Sequence, residues 1–241
     1  MPPLDTIGYA FLGGLLPALV WLYFLLKEED RCPQPRWAIF VAFLAGILAV
    51  PLVIPFQDLS CTYIGSCNPA PSPSVVIAWA TVEETAKYLL AAAFVLWRSN
   101  AVRNPIDIVA TMITVALGFA ALENVLFLID PLSEGRFLAG LVTSNLRFIG
   151  ATLLHVVASS AIGFALAFSY QAAKPVRAAA ASLGLILAIA LHALFNFFII
   201  QEDGSHTILA FFTVWTGAIV LFAAFEILKY LRYRNLPKNT C

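Results

Sequence analysis

Ionisable and amide side chains interrupt apolar sequence at four places in the 241-residue chain. Glu83, Glu84 and Lys87 lie within SVVIAWATVEETAKYLLAAAFVLW; Phe119 precedes Glu123 by one turn, with Asn124 beside it, in GFAALENVLF; Arg147 and His155 follow; His192 and Asn196 complete the set in LHALFN. Carboxylates, imidazoles, a carboxamide and an ammonium suit acid-base work on water, with glutamate as base and His or Asn donors for a developing oxyanion. Hydrolysis of a peptide bond needs this set and one bound water. Rival protease chemistries lack their residues: there is no H-E-x-x-H pair, no Ser in a Gly-x-Ser-Gly setting, and Asp107 and Asp130 fall at helix ends. Glutamate is left as the base. A zinc site built from His155, His192 and a glutamate is the alternative, because those ligand types suit that ion.

In a helix Glu83 and Lys87 share one face, Glu84 and Lys87 are also neighbours, and the two glutamates diverge by about 100°. Lys87 can therefore serve either carboxylate. His192 and Asn196 again stand at i and i+4, on one face.

The elements that must position these residues are membrane helices. The chain is 61% hydrophobic and 12% charged, with a mean hydropathy of +0.88, which excludes a water-soluble globule. Its apolar runs predict an all-α, polytopic transmembrane bundle of about seven spanning helices near residues 7–26, 37–56, 74–97, 106–130, 144–170, 177–200 and 206–230. The stretch from Phe137 to Tyr170 is too long for one straight span, so its first part is expected to lie along the interface or re-enter, giving room for an eighth element. No soluble domain remains, and the chain reads as one integral membrane domain over 1–241 with its motifs within 83–196.

Net charge is zero, which suggests no nucleic-acid partner; the partners expected are the bilayer and a membrane-anchored protein. Eleven basic residues (Lys27, Arg31, Arg36, Arg98, Arg103, Lys174, Arg177, Lys229, Arg232, Arg234 and Lys238) fall on one side, against Arg136 and Arg147 on the other. This asymmetry predicts an outside N-terminus and a cytoplasmic C-terminus. Cys61 and Cys67 then fall outside, where a short disulfide is expected; Cys32 and Cys241 fall on the reducing side. The basic tail reads as an anchor at an anionic leaflet.

Each charge at mid-membrane costs about 2.5 to 3.5 kcal/mol on insertion scales, so the span carrying Glu83, Glu84 and Lys87 must face protein or water and marks a functional site. At 1.5 Å per residue, Glu84, Glu123, His155 and His192 lie about 15, 10, 15 and 13 Å below the outer boundary. Four helices thus place them on one level, as one polar cluster in the outer half of the membrane. Other residues read structurally: Pro17, Pro51 and Pro55 as helix kinks or ends, Pro105 and Pro175 as helix starts, Ser159 and Gly163 as sites of close helix approach, and His206 as an outside-loop residue. Arg147 reads as a side chain snorkelling to lipid phosphate, with a substrate carboxylate as its alternative partner.

The set Glu83-Glu84-x-x-Lys87, Phe119-x-x-x-Glu123-Asn124, His155 and His192-x-x-x-Asn196, in order on consecutive helices, resembles the PrsW family of glutamic intramembrane proteases. That family sits within a larger group with the CAAX prenyl proteases and the APH-1 subunit of γ-secretase. The resemblance implies metal-independent cleavage of a membrane-anchored protein, with no cofactor, in a prokaryotic cytoplasmic membrane. It implies that Glu83 activates water, that His192 and Asn196 form the oxyanion site, and that the substrate is akin to a single-span anti-sigma factor cut on its extracytoplasmic side. The chain departs from the CAAX proteases, whose motifs are Glu-Glu-x-x-x-Arg and Phe-x-x-x-His: its basic residue comes one position earlier, and Glu123 stands where their His would be. Either His155 or Glu123 then partners Glu83. Two other functions suit intramembrane Glu and His: a noncatalytic scaffold of the APH-1 kind, and a proton-coupled transporter. The lack of an inner-half polar cluster argues against the transporter.

Overall fold

A computed structural model describes residues 4–28, 33–98, 100–200 and 207–234. The readings for Arg31, Cys32, His206, Lys238 and Cys241 lie outside them. The described residues form helices only: α1 (Leu4–Glu28), α2 (Arg36–Tyr63), α3 (Pro73–Ala91, prolonged by a π turn at Ala92–Leu96), α4 (Pro105–Ser133), α5 (Phe137–Leu146), α6 (Thr152–Phe168), α7 (Lys174–Ile200) and α8 (Thr207–Tyr233). A second π turn at Arg147–Ala151 joins α5 to α6 in one rod, so the bundle has seven rods, one for each expected span. Six are long and apolar enough to cross a membrane, and the chain is an integral membrane protein. The seventh, α3, is set apart by the three charges at its middle.

Two expectations are corrected. The apolar run after Phe137 neither lies along the interface nor re-enters; it is a continuous 32-residue helix, Phe137–Phe168. Such a rod is about 48 Å long at 1.5 Å per residue, so it must tilt or protrude. Nor do the prolines end helices: α1 runs through Pro17, and α2 runs through Pro51 and Pro55 to Tyr63. Neighbouring helices and local adjustment make an interrupted ladder tolerable in a membrane bundle. Pro105 and Pro175 do sit at helix starts, and Asn104 with Asp107 forms a capping box at the head of α4.

The core is built around α4, which is buried on every face from Ile106 to Ala121 and packs chiefly on α1, α2 and α6. Association in lipid rests on close packing, which small residues allow. At the α2–α4 crossing Gly46 and Gly118 face the opposite backbone: a Cβ on Gly118 would collide with the Phe43 carbonyl, and one on Gly46 with the Val115 carbonyl. Gly163 similarly lets α6 approach Val109 and Met112, as expected. Cys61 and Cys67 form the expected disulfide, with Cα atoms 5.4 Å apart, tying the end of α2 to the loop before α3.

The crossing yields a prediction. Gly118→Val should destabilise the bundle by about 1 to 3 kcal/mol or more through overpacking, read as a lower melting temperature in detergent; an unchanged melt would contradict this packing.

Candidate active site

Lys87 is fully buried and settles which glutamate it serves. Its Nζ donates to Glu84 Oε1 at 2.7 Å and to His155 Nδ1 at 2.8 Å, and lies 4.0 Å from the centre of the Phe119 ring. It stands 3.7 Å from Glu83 Oε2. Glu84 also accepts from His192 Nδ1 at 2.8 Å and from Ser159 Oγ at 2.7 Å. Ser159, read from sequence as a small packing residue, is thus a hydrogen-bonding member of the cluster. Three donors from α3, α6 and α7 converge on Glu84, which therefore knits the helices together.

Glu83 differs, although it is the next residue. One oxygen, Oε1, accepts from Gln57 Nε2 at 2.9 Å. The other, Oε2, is buried with no hydrogen-bond partner and faces His192 Nε2 at 3.6 Å. The roughly 100° between adjacent helical residues sends one carboxylate into the helix interface and the other toward a cavity. Gln57 was not singled out in the sequence, since it falls just beyond the expected second span; the extension of α2 to Tyr63 carries it over Glu83. Its carbonyl is held in turn by Trp79 Nε1 at 3.2 Å and Ser60 Oγ at 2.6 Å.

Proton positions follow from which partners can only donate. Lys87 has no acceptor, so His155 Nδ1 accepts, and Nε2 carries the proton that it donates to Glu123 Oε2 at 2.9 Å. Glu123 Oε2 also accepts from Arg147 Nη2 at 2.5 Å, and Arg147 Nε donates to Asn124 Oδ1 at 2.6 Å. Asn124 Nδ2 donates in turn to Thr152 Oγ1 at 2.9 Å. Arg147 does not snorkel: its side chain is only 15% exposed and stacks over Phe127 at 3.9 Å. The cause is the π turn beginning at Arg147, which changes the phase of the helix and brings the guanidinium inward.

A cavity of about 590 Å³ opens onto Glu83, Glu123, Arg147, His155, His192 and Asn196. Gln57 near the end of α2, Ile200 at the end of α7 and Thr207 at the start of α8 also line it, so it lies in the half of the bundle nearer the disulfide loop. Asn196 is half-buried on its wall, one turn from His192. The residues expected from sequence therefore meet: Glu83, Glu84, Lys87, Glu123, His155 and His192 in a connected cluster, Phe119 beneath Lys87, Asn124 behind Arg147, and Asn196 on the cavity wall.

Glu83, His155 and His192 each bring a donor atom within 4.8 Å of the others, a spacing one cation could bridge. Their hydrogen bonds do not fit that use. Both ring nitrogens of His155 are engaged, by Lys87 and by Glu123, and the Lys87 ammonium already stands among the three residues. Glu83 Oε2 and His192 Nε2 remain, one short of the three protein ligands of a catalytic zinc.

Residues 34–225 match the family model described as PrsW family intramembrane metalloprotease. The chain is similar to Protease PrsW of Clostridioides difficile, 24% identical over 195 residues covering 80% of this chain and 79% of that one. It is also similar to Protease PrsW of Oceanobacillus iheyensis, 26% identical over 214 residues covering 87% of this chain and 92% of that one. No solved structure matches it.

The division between the adjacent glutamates makes Lys87 a structural residue. Lys87→Met should strand the Glu84 carboxylate in the core and cost about 3 to 5 kcal/mol. Thermal melting of the purified protein reads it, and a wild-type melt would contradict the network.

Proposed function

This chain belongs to the PrsW family of intramembrane proteases, and we propose that it cleaves its substrate with Glu83 as base and no metal ion. The observation that carries this reading is the contrast at Glu83: a buried carboxylate oxygen without a hydrogen-bond partner, on a cavity wall, beside a glutamate that accepts from three donors. The family description says metalloprotease; the engaged nitrogens of His155 and the ammonium of Lys87 favour acid-base chemistry instead.

In the proposed reaction a water molecule donates one hydrogen to Glu83 Oε2 and the other to His192 Nε2. With Nδ1–H held by Glu84, the neutral ring offers Nε2 as an acceptor. The water oxygen attacks the scissile carbonyl carbon while Glu83 takes its proton. The Asn196 amide donates to the resulting oxyanion. Collapse breaks the C–N bond as Glu83 delivers that proton to the leaving nitrogen, returning the carboxylate. This assigns the oxyanion to Asn196 and gives His192 the task of aiming water, whereas the resemblance alone gave the oxyanion to both. Gln57 fixes Glu83 by its other oxygen. Glu123 and Arg147 lock the His155 ring, which in turn fixes Lys87.

The substrate in this reading is a membrane-anchored, single-span protein resembling an anti-sigma factor. The position of the cavity away from the basic loops, read with the positive-inside rule, supports a cut near the extracytoplasmic side of a prokaryotic cytoplasmic membrane.

The test is cleavage of a single-span reporter by the protein reconstituted in liposomes. Glu83→Gln should lower turnover at least about 10² to 10⁴-fold, the loss expected for a general base, with a near wild-type melt. Cleavage at the wild-type rate by Glu83→Gln would overturn the assignment. A scaffold would show no turnover in the wild type and a lowered melt in the variant.

A further inference from the structure

A second concavity, of about 340 Å³, lies at the basic end of the bundle, remote from Glu83, between the turn leading into α4, the end of α6 and the last turns of α8. Arg103 and Arg232, from distant parts of the chain, both line it, and among the described residues no acidic side chain does. Arg103 is partly committed, donating from Nη2 to the Pro33 carbonyl at 2.5 Å. Arg232 is not: its Nε is buried without a hydrogen-bond partner. Among the described residues the acids at this end are engaged elsewhere, Glu28 and Glu226 by Lys229 and Asp107 by the Arg103 and Asn104 amides. The rest of the lining is part polar, with Asn104, Tyr170 and Gln171, and part apolar, where Phe168 and Leu231 are 55% and 50% exposed.

We propose that this concavity binds one anionic phospholipid, its phosphate between Arg103 and Arg232 and an acyl chain along Phe168 and Leu231. The positive-inside rule accounts for arginines on this face. It gives no reason for two of them to share one hollow with a buried donor left over. A phosphate ester supplies the missing acceptors, and guanidinium suits it by geometry. The exposed Phe168 and Leu231 beside it favour a lipid over free phosphate, and a basic interhelical pocket at this membrane face suits an anionic headgroup. The proposal is independent of the proteolytic reading.

The purified full-length protein can be delipidated and titrated with phosphatidylglycerol, phosphatidylcholine or inorganic phosphate, with retained adducts read by native mass spectrometry. One phosphatidylglycerol should be retained in preference to phosphatidylcholine. Arg232→Gln should reduce that retention about five-fold, the effect of about 1 kcal/mol for one basic residue near an anionic headgroup, and Arg232→Lys should keep most of it. Arg232 makes no hydrogen bond or ion pair among the described residues, so its melt should be unchanged without lipid. Equal retention of the two lipids, undiminished binding by Arg232→Gln, or displacement of phosphatidylglycerol by millimolar inorganic phosphate would each overturn the proposal.

Discussion

A single ammonium group holds the polar centre of this membrane protein together. Lys87 is wholly enclosed, where an unpaired charge costs several kcal/mol. Glu84 neutralises it, His155 accepts from it and the face of Phe119 lies against it. Through Glu84 the contact extends to Ser159 and His192, and through His155 to Glu123 and Arg147. Five helical segments, α3, α4, the π turn after α5, α6 and α7, are thereby fixed around one point. The polar side chains that make α3 the least apolar of the rods find their partners there.

This arrangement separates two neighbouring carboxylates that sequence could not tell apart. Glu84 meets three donors, whereas Glu83 accepts from Gln57 by one oxygen and keeps the other without a hydrogen bond. A difference of one residue on a helix turns the side chain by about 100°, which here separates the helix interface from the cavity. The carboxylate is oriented by the Gln57 side-chain amide on its other oxygen, and the backbone carbonyl of Gln57 accepts from Trp79 and Ser60. Preorganisation of this kind is what the proposed base needs, since a reacting water must meet an acceptor already in place.

Much of this was legible in the sequence, because lipid makes polar residues conspicuous. Glu83, Glu84, Lys87, Glu123, His155 and His192 stand out against apolar neighbours, and helical rise puts Glu84, Glu123, His155 and His192 near one depth. The residues that escaped notice did so for physical reasons. Gln57 lies where a span was expected to end after two prolines, and only an uninterrupted α2 carries it over the site. Ser159 has a small side chain, so its packing role and its hydrogen bond to Glu84 are indistinguishable in sequence. Arg147 was misread because a π turn shifts the helical phase by an amount that a regular period does not contain. The preference of Lys87 for Glu84 depends on rotamers and on His155, information that spacing alone lacks.

In the proposed mechanism the lysine ammonium, rather than a metal ion, organises the reactive groups. Of the three residues close enough to share a cation, His155 has both ring nitrogens engaged, by Lys87 and by Glu123. The most direct measurement is the metal content of purified, cleavage-competent protein, taken by elemental mass spectrometry alongside its turnover of a single-span reporter. Full turnover is expected in preparations carrying far less than one transition-metal ion per chain. Turnover rising in proportion to bound zinc, toward one ion per active chain, would contradict it.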